Sequence, residues 1–154
     1  MNQGMKVLSS AFYSILILFY LTLLSFLGMA QQSNRASLKE KLQDYQWKHR
    51  VLLLCASSTE NADFVKQKKE LASLANKLKE RDTITLEILY DHLNTEDKNY
   101  LHQQLDILIE VFTVVLIGKD GGVKLKQPQP VTSQALFSTI DAMPMRRQEM
   151  KKGE

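Results

Sequence analysis

The chain has 154 residues, with 20 Lys or Arg and 17 Asp or Glu, so its formal net charge is only +3. That excess is too small for a nucleic-acid-binding surface, and no basic stripe is interleaved with aromatic residues, so nucleic acid is excluded as a partner. Hydrophobic residues make up 44% of the chain, with six glycines and three prolines, a composition typical of one globular domain.

Residues 1–30 predict a signal for export. Val7 to Met29 carry no charge, and Lys6 stands before them. Gly28-Met29-Ala30 offers small residues at the third and first positions before a break, so we expect cleavage after Ala30. The alternative is a retained membrane anchor, because the apolar run approaches the roughly 20 residues that span a bilayer. In either case the domain is expected outside the cytoplasm, periplasmic or secreted, and it touches a membrane only if the anchor is retained.

Residues 31–45 form a polar lead, which is expected to be helical from Ser37. The domain proper is expected over residues 46–152. Val51 to Ala56 is an apolar run short enough for a central strand. A helix from Ala62 to Arg81 follows, because apolar residues recur there at helical spacing: Phe64, Val65, Leu71, Leu74, Ala75 and Leu78.

The second strand is expected from Thr83 to Tyr90. A helix from about Glu96 to Leu108 has a narrower apolar stripe, made of Tyr100, Leu101, Leu105 and Leu108. Phe112 to Ile117 then reads as a strand covered on both faces, because it is rich in β-branched and aromatic residues and has no polar alternation after Thr113.

Gly118 to Gly122 supplies residues that tolerate positive φ, so Val123 to Leu125 is expected to fold back as an antiparallel partner. Pro128 and Pro130 end that strand. A last helix is capped by Thr132 or Ser133 and carries Ala135, Leu136, Phe137 and Ile140; Pro144 breaks or kinks it.

The resulting order is β-α-β-α-β-β-α. Strands joined by helices are expected to run parallel, and strands joined by the glycine-rich turn antiparallel. The sequence therefore predicts an α/β, thioredoxin-like fold, with a mixed four-stranded sheet flanked by helices.

Three segments resemble a bacterial family of unknown function, DUF4174, which also occurs in animal extracellular proteins with sushi repeats. They are Trp47 to Leu52, Leu116 to Leu125 and Ile140 to Met150, and the similarity covers about residues 38–152. The resemblance implies a thioredoxin- or peroxiredoxin-like fold and brings no catalytic residue. Animal members are linked with adhesion, which points to binding.

Dithiol chemistry is excluded because the chain has a single cysteine, Cys55. The positions equivalent to a thioredoxin dithiol fall near Thr59 and Ala62. The alternative is a one-cysteine peroxidase or reductase in which Cys55 attacks, with Arg50 or Arg147 stabilising its thiolate. We prefer a structural role for Cys55, because a thiol that ends a buried strand has a raised pKa.

No metal site or cofactor is predicted. His49, His92 and His102 are spread apart, and Asp91, Glu96 and Asp97 read as a solvated loop. The turn at Gly118 opens a strand and not a helix, so it lacks the geometry of a phosphate-binding loop.

Two further expectations are structural. Trp47 is expected to anchor the N-terminal segment. The basic residues Arg146, Arg147, Lys151 and Lys152 read as a solvated tail. The alternatives are a contact with anionic lipid or an acidic partner, and a local ion pair between Asp141 and Arg147 around Pro144.

The sequence thus favours an exported, non-redox, thioredoxin-like binding or structural module of the cell envelope. Its partner is expected to be an envelope protein or an extracellular ligand. The enzyme that acts through Cys55 remains the alternative.

Overall fold

The computed structural model describes residues 36–152, so the signal or anchor expected over residues 1–30 lies outside the described residues. Within residues 36–152, no helix is both long enough and apolar enough to cross a membrane. The elements in chain order are α1 (Leu38–Tyr45), β1 (Arg50–Ala56), α2 (Ala62–Ala72), α3 (Ala75–Lys79), β2 (Thr83–Leu89), α4 (Thr95–Leu105), β3 (Thr113–Ile117), β4 (Val123–Gln127), α5 (Ser133–Asp141) and α6 (Pro144–Lys152).

The four strands form one mixed sheet in the order β2-β1-β3-β4. β1 and β2 are parallel, and β3 is antiparallel to both of its neighbours. The predicted α/β fold with a mixed four-stranded sheet between helices is confirmed.

Helices cover both faces of the sheet, and every residue of β1 is therefore buried. Alternate residues of a strand point to opposite faces, and β1 accordingly contributes to two cores. One core packs against α2, α3 and α5 and includes Leu52, Leu54, Phe64, Leu71, Leu78, Leu116, Leu136 and Ile140. The other packs against α1 and α4 and includes Leu38, Val51, Leu53, Cys55, Leu101, Leu105, Val115 and Ile117.

The single helix expected from Ala62 to Arg81 is wrong, since α2 ends at Ala72 and α3 begins at Ala75. Ser73 ends α2, and its hydroxyl donates to the carbonyl oxygen of Glu70 at 2.7 Å. Ser and Thr hydroxyls that bond back to the preceding turn compete with helical hydrogen bonds. Val65, which was expected in the apolar stripe, is 51% exposed.

The fourth helix is also shorter than expected, because α4 ends at Leu105. Asp106 has a φ of 50°, which no residue of a right-handed helix adopts. The chain therefore turns away, and Leu108 is an exposed residue and not part of the core.

The direction expected for β3 is wrong, because β3 runs antiparallel to β1 although a helix joins it to β2. The segment from Asp106 to Phe112 carries the chain back to the edge where β2 ended. There the hydroxyl of Tyr90 donates to the carbonyl oxygen of Val111 at 3.0 Å. β3 starts at that edge and so must run in the opposite direction.

Candidate functional site

Cys55 lies near the carboxyl end of β1, the edge where thioredoxins carry their reactive thiols, and it is fully buried. Its neighbours across the sheet are Ile88 and Thr113. Burial raises the pKa of the Cys55 thiol from 9.0 to about 12, and a hydrogen bond with Tyr90 offsets only part of that rise. The thiol is therefore protonated and inaccessible at neutral pH.

The first turn of α2 is already capped by a side chain. Asn61 caps this turn, and its Oδ1 accepts from the amides of Asp63 and Phe64 at 3.1 Å each. The dipole of α2 therefore acts on a capping amide and not on Cys55, which precedes the helix by seven residues.

The opposite edge of the sheet brings together the three segments that carry the resemblance. They surround a cleft of about 260 Å³, which we call the basic cleft and which is lined by Trp47, Arg50, Gly118, Lys119, Asp120, Lys124, Met143, Pro144 and Met145. The first segment enters β1 here, the second turns between β3 and β4, and the third links α5 to α6. One site thus collects residues from both ends of the domain.

Arg50 is the first residue of β1, and none of its surface is exposed. Its Nη1 and Nη2 atoms donate to the two carboxylate oxygens of Glu149 at 3.1 and 3.2 Å. Nη1 also donates to the carbonyl oxygen of Arg81 at 2.8 Å. Its Nε is buried and has no hydrogen-bond partner among residues 36–152. A fully buried guanidinium of this kind needs its carboxylate partner.

Lys119, in the β3–β4 turn, donates from Nζ to Asp82 and to Glu149, each at 2.8 Å. Burial alone would lower the pKa of Lys119, but these two hydrogen bonds outweigh it and raise the pKa. Burial likewise raises the pKa of Glu149, and hydrogen bonds from Lys119 and Arg50 overcome that effect and hold it below its ordinary value. Both groups are charged at neutral pH.

A second cluster continues the network toward α5. Arg81 makes a bidentate pair with Asp141, with both N–O distances at 2.9 Å, and its guanidinium lies 4.7 Å from the centre of the Phe137 ring. Arg146 also contacts Asp141, at 3.4 Å, and donates to the carbonyl oxygen of Glu80 at 3.0 Å. The ion pair between Asp141 and Arg147, which was considered as an alternative, is wrong, because Asp141 pairs with Arg81 and Arg146.

Trp47 is 66% exposed, so the expectation that its ring anchors the N-terminal segment is wrong. Its backbone provides the attachment, since the amide of Trp47 donates to the carbonyl oxygen of Lys119 at 2.6 Å. The φ of Trp47 is 65°, a conformation that is rare for a bulky residue. This backbone holds the indole at the mouth of the basic cleft.

Within the described residues, neither Arg50 nor a group of histidines accompanies Cys55. Arg50, which was considered as a partner for a Cys55 thiolate, stands five residues away along β1, or about 16 Å at the usual rise of a strand. His49 contacts the ring of Tyr45 edge-on, with 5.9 Å between ring centres. Within residues 36–152, no three His, Cys, Asp or Glu side chains are grouped as a metal site would require.

Sequence reasoning did not assign Arg50, Lys119 and Glu149 to one site. Arg50 precedes an apolar run, Lys119 lies in a turn, and Glu149 sits in a charged tail, so each has an ordinary local explanation. The sequence held one clue to this site. Each of the three segments that resemble the family has charged residues close to Trp47, to the glycines of the turn or to Met143-Pro144-Met145.

The family described as Domain of unknown function (DUF4174) matches residues 41–149, which include both edges of the sheet. The chain belongs to this family. Coiled-coil domain-containing protein 80 of Danio rerio is 28% identical over 138 residues, covering 74% of this chain and 16% of that protein. This chain thus spans about a sixth of that relative's length.

Two solved structures resemble the DUF4174 domain. The reduced 2-Cys peroxiredoxin of Plasmodium vivax has a TM-score of 0.53 and 14% identity, covering 71% of this chain and 84% of that chain. The pneumococcal exposed lipoprotein thioredoxin Etrx1 of Streptococcus pneumoniae strain TIGR4 has a TM-score of 0.50 and 15% identity, covering 66% and 90%. These similarities confirm the thioredoxin-like fold.

Proposed function

We propose that the DUF4174 domain is a non-redox binding module of the cell envelope and that its ligand occupies the basic cleft. The observation that carries this proposal is the position of Trp47, a large aromatic side chain that is 66% exposed beside Met143, Pro144 and Met145. Exposed aromatic residues next to an apolar wall are typical of binding sites.

The state of Cys55 supports a role without redox chemistry. A thiol that attacks a peroxide or a disulfide must be accessible and deprotonated. Cys55 is fully buried, and its pKa is raised to about 12. A thiol in this state does not favour the enzyme that was considered as the alternative.

The extracytoplasmic location rests on the apolar run from Val7 to Met29 and on the small residues at Gly28-Met29-Ala30. We propose that the chain is cleaved after Ala30 and meets an envelope protein or an extracellular ligand. Cell fractionation and N-terminal sequencing test this proposal. A chain that begins at Gln31 supports it, whereas a full-length chain in the membrane fraction supports the retained anchor.

The binding proposal is tested by nuclear magnetic resonance, because Trp47 is the only tryptophan and gives a single indole N–H signal. One-ring fragments that are neutral, cationic or anionic are added in turn to the ¹⁵N-labelled protein. We expect some of them to shift the Trp47 indole signal and the amides of Gly118 to Asp120. The internal control is the loop from Ser57 to Asn61 at the Cys55 edge, whose signals should not move. The proposal fails if no fragment shifts the Trp47 signal, or if shifts concentrate in the control loop.

A further inference from the structure

The basic cleft has more hydrogen-bond donors than its own residues use. A lysine ammonium carries three N–H groups. Lys119 donates two of them, to Asp82 and Glu149, and Lys124 donates one, to Asp120. One donor of Lys119 and two donors of Lys124 therefore have no partner among residues 36–152.

The charged groups of the cleft balance one another, so its preference for an acceptor rests on the unused ammonium donors. Arg50, Lys119 and Lys124 are the cations of the lining, and they pair with the carboxylates of Glu149, Asp82 and Asp120. Both oxygens of Asp120 are already occupied, by Lys124 and by the amide of Gly122. A ligand that supplies acceptors is bound more favourably here than one that supplies donors.

The glycine at position 118 keeps this cationic side open. A Cβ there would lie 2.6 Å from Cε of Lys124 and 2.7 Å from Oδ1 of Asp120. Because Gly118 has no side chain, Lys124 folds over the turn and faces the cleft. Its side chain is 32% exposed, so its ammonium is accessible to a ligand.

The opposite wall is apolar, being formed by Trp47, Met143, Pro144 and Met145. Sites for drug-sized ligands begin at about 300 Å³, and the basic cleft, at about 260 Å³, is slightly smaller. It fits an apolar body of about one ring. A ligand that uses both walls therefore has an apolar body at one end and an acceptor group at the other.

We propose that the ligand of the basic cleft is a small amphipathic carboxylate, bound with its apolar body against Trp47 and its carboxylate toward Lys119 and Lys124. This inference rests on the proposed function, in which the basic cleft is the binding site. Arg50 also lines the cleft, but it already pairs with the carboxylate of Glu149, so the two lysines hold the carboxylate of the ligand. The carboxylates of Glu149, Asp82 and Asp120 already lie beside these cations and repel further negative charge. A monoanion therefore suits the site better than a phosphate dianion.

A carboxylate of this kind occurs in two sources, a free organic acid and the carboxyl terminus of a peptide that ends in an apolar residue. The chemistry is the same in both, because the recognised unit is one apolar group next to one terminal carboxylate. Extra residues of a peptide would add contacts outside the cleft. The two sources are separated by comparing a single acid with a short peptide.

Fluorescence of Trp47 provides the test, with 3-phenylpropionate as the probe. Its amide, 3-phenylpropionamide, keeps the ring and removes the charge, while propionate keeps the charge and removes the ring. We expect the acid to bind about tenfold more tightly than the amide, since a charge-assisted hydrogen bond is worth about one power of ten in affinity. Propionate should bind more weakly than 3-phenylpropionate. Added salt should lower the affinity for 3-phenylpropionate and leave the affinity for its amide unchanged.

Lys124→Gln is the matched variant, since Lys124 is a partly exposed residue of the outer strand β4 and we expect its loss to leave the fold intact. It should lower the affinity for the acid several-fold and leave the affinity for the amide unchanged. Lys66→Gln on the exposed face of α2 is the control and should change neither.

Acetyl-Ala-Ala-Phe with a free carboxyl terminus, and the same peptide as an amide, distinguish the sources. Tighter binding of the free-acid peptide than of 3-phenylpropionate supports a peptide terminus, and weaker binding supports a free acid. The carboxylate proposal is overturned if acid and amide bind equally, or if phenyl phosphate binds more tightly than the acid. If neutral fragments still shift the Trp47 signal in those cases, the carboxylate proposal fails and the proposed binding function is kept. If no fragment shifts that signal, both proposals fail.

Discussion

Glu149 accepts hydrogen bonds from both terminal nitrogens of Arg50, a residue 99 positions earlier in the chain. This contact attaches α6, which has no buried residue of its own, to the sheet. Breaking a buried ion pair by removing one partner is costly, because the other charge stays buried without compensation. The attachment of α6 thus depends on charge more than on apolar packing.

We predict that Glu149→Gln lowers the free energy of unfolding by about 3 kcal/mol. The reason is that Arg50 keeps its charge and loses the carboxylate that balances it. Urea denaturation measures the change. Glu87→Gln, which breaks an exposed pair with Lys68, is the control and should cost less than about 0.5 kcal/mol. Combining Glu149→Gln with Arg50→Met should restore part of the loss, and a single-variant effect below about 1 kcal/mol would show that Arg50 finds other acceptors.

The same network predicts how stability depends on pH. A hydrogen bond from Lys119 holds the pKa of Asp82 below its ordinary 3.8, and one from Arg81 does the same for Asp141. The pKa of Glu149 lies below its ordinary 4.5, as described above. A carboxyl whose pKa is lowered by folding stabilises the protein above its unfolded-state pKa, and that contribution is lost as the pH falls through the folded-state pKa.

We therefore expect the free energy of unfolding to fall progressively below about pH 4.5. The pKa of Lys119 is raised above 10.5, so its contribution is present below that value and is lost as the pH rises past it. Denaturation of the wild type and of Glu149→Gln at a series of pH values checks both limbs. The variant should show a shallower acid slope, and identical slopes would mean that Glu149 does not contribute.

The β3–β4 turn offers a comparison between adjacent glycines. Gly121 has a φ of 82°, in the region that only glycine adopts readily, and no such φ is found at Gly122. Gly121→Ala should cost about 1–2 kcal/mol through backbone strain. At Gly122 a Cβ would lie 3.2 Å from the flexible end of Lys124 and at an ordinary contact distance of 3.5 Å from Oδ1 of Asp120, so Gly122→Ala should stay within about 0.5 kcal/mol. Equal effects in thermal unfolding would contradict this assignment.

Cys55 should react slowly with thiol reagents. A rise in pKa from 9.0 to about 12 lowers the thiolate fraction at neutral pH about 1,000-fold, and burial blocks access as well. Kinetics with a disulfide reagent before and after unfolding in urea measure the difference. Cys55→Ser should leave ligand binding intact. Stoichiometric consumption of peroxide by the wild type, abolished in Cys55→Ser, would instead establish a one-cysteine peroxidase.

The sequence predicts the strands well where burial alone decides the pattern. β1 and β3 are apolar runs that are covered on both faces, and the caps at Ser37 and Thr132 were recognisable from local residues. The direction of β3 was not predictable in this way, because it depends on which end of the sheet the segment after α4 returns to, and the contact between Tyr90 and Val111 marks that end. Helical spacing alone likewise did not reveal the break at Ser73.

The candidate site was less predictable than the fold. A basic residue at the end of an apolar run normally marks the point where a strand emerges into solvent. Arg50 is instead enclosed, because Glu149 reaches it from a distant helix. Tertiary packing determines pairing of this kind. Tertiary packing also determines that Trp47 is exposed.

The distance between Arg50 and Glu149 along the chain also has a meaning in time. Proteins are synthesised at about 5–20 residues per second, so the 99 positions that separate the two side chains correspond to about 5–20 s of elongation. During that interval the guanidinium has been made and its carboxylate has not. Water must therefore solvate Arg50 while β1, β2 and the hairpin are already available to pair. The charge of Arg50 is balanced only after α6 has been synthesised, so the basic cleft forms late in the folding of the chain.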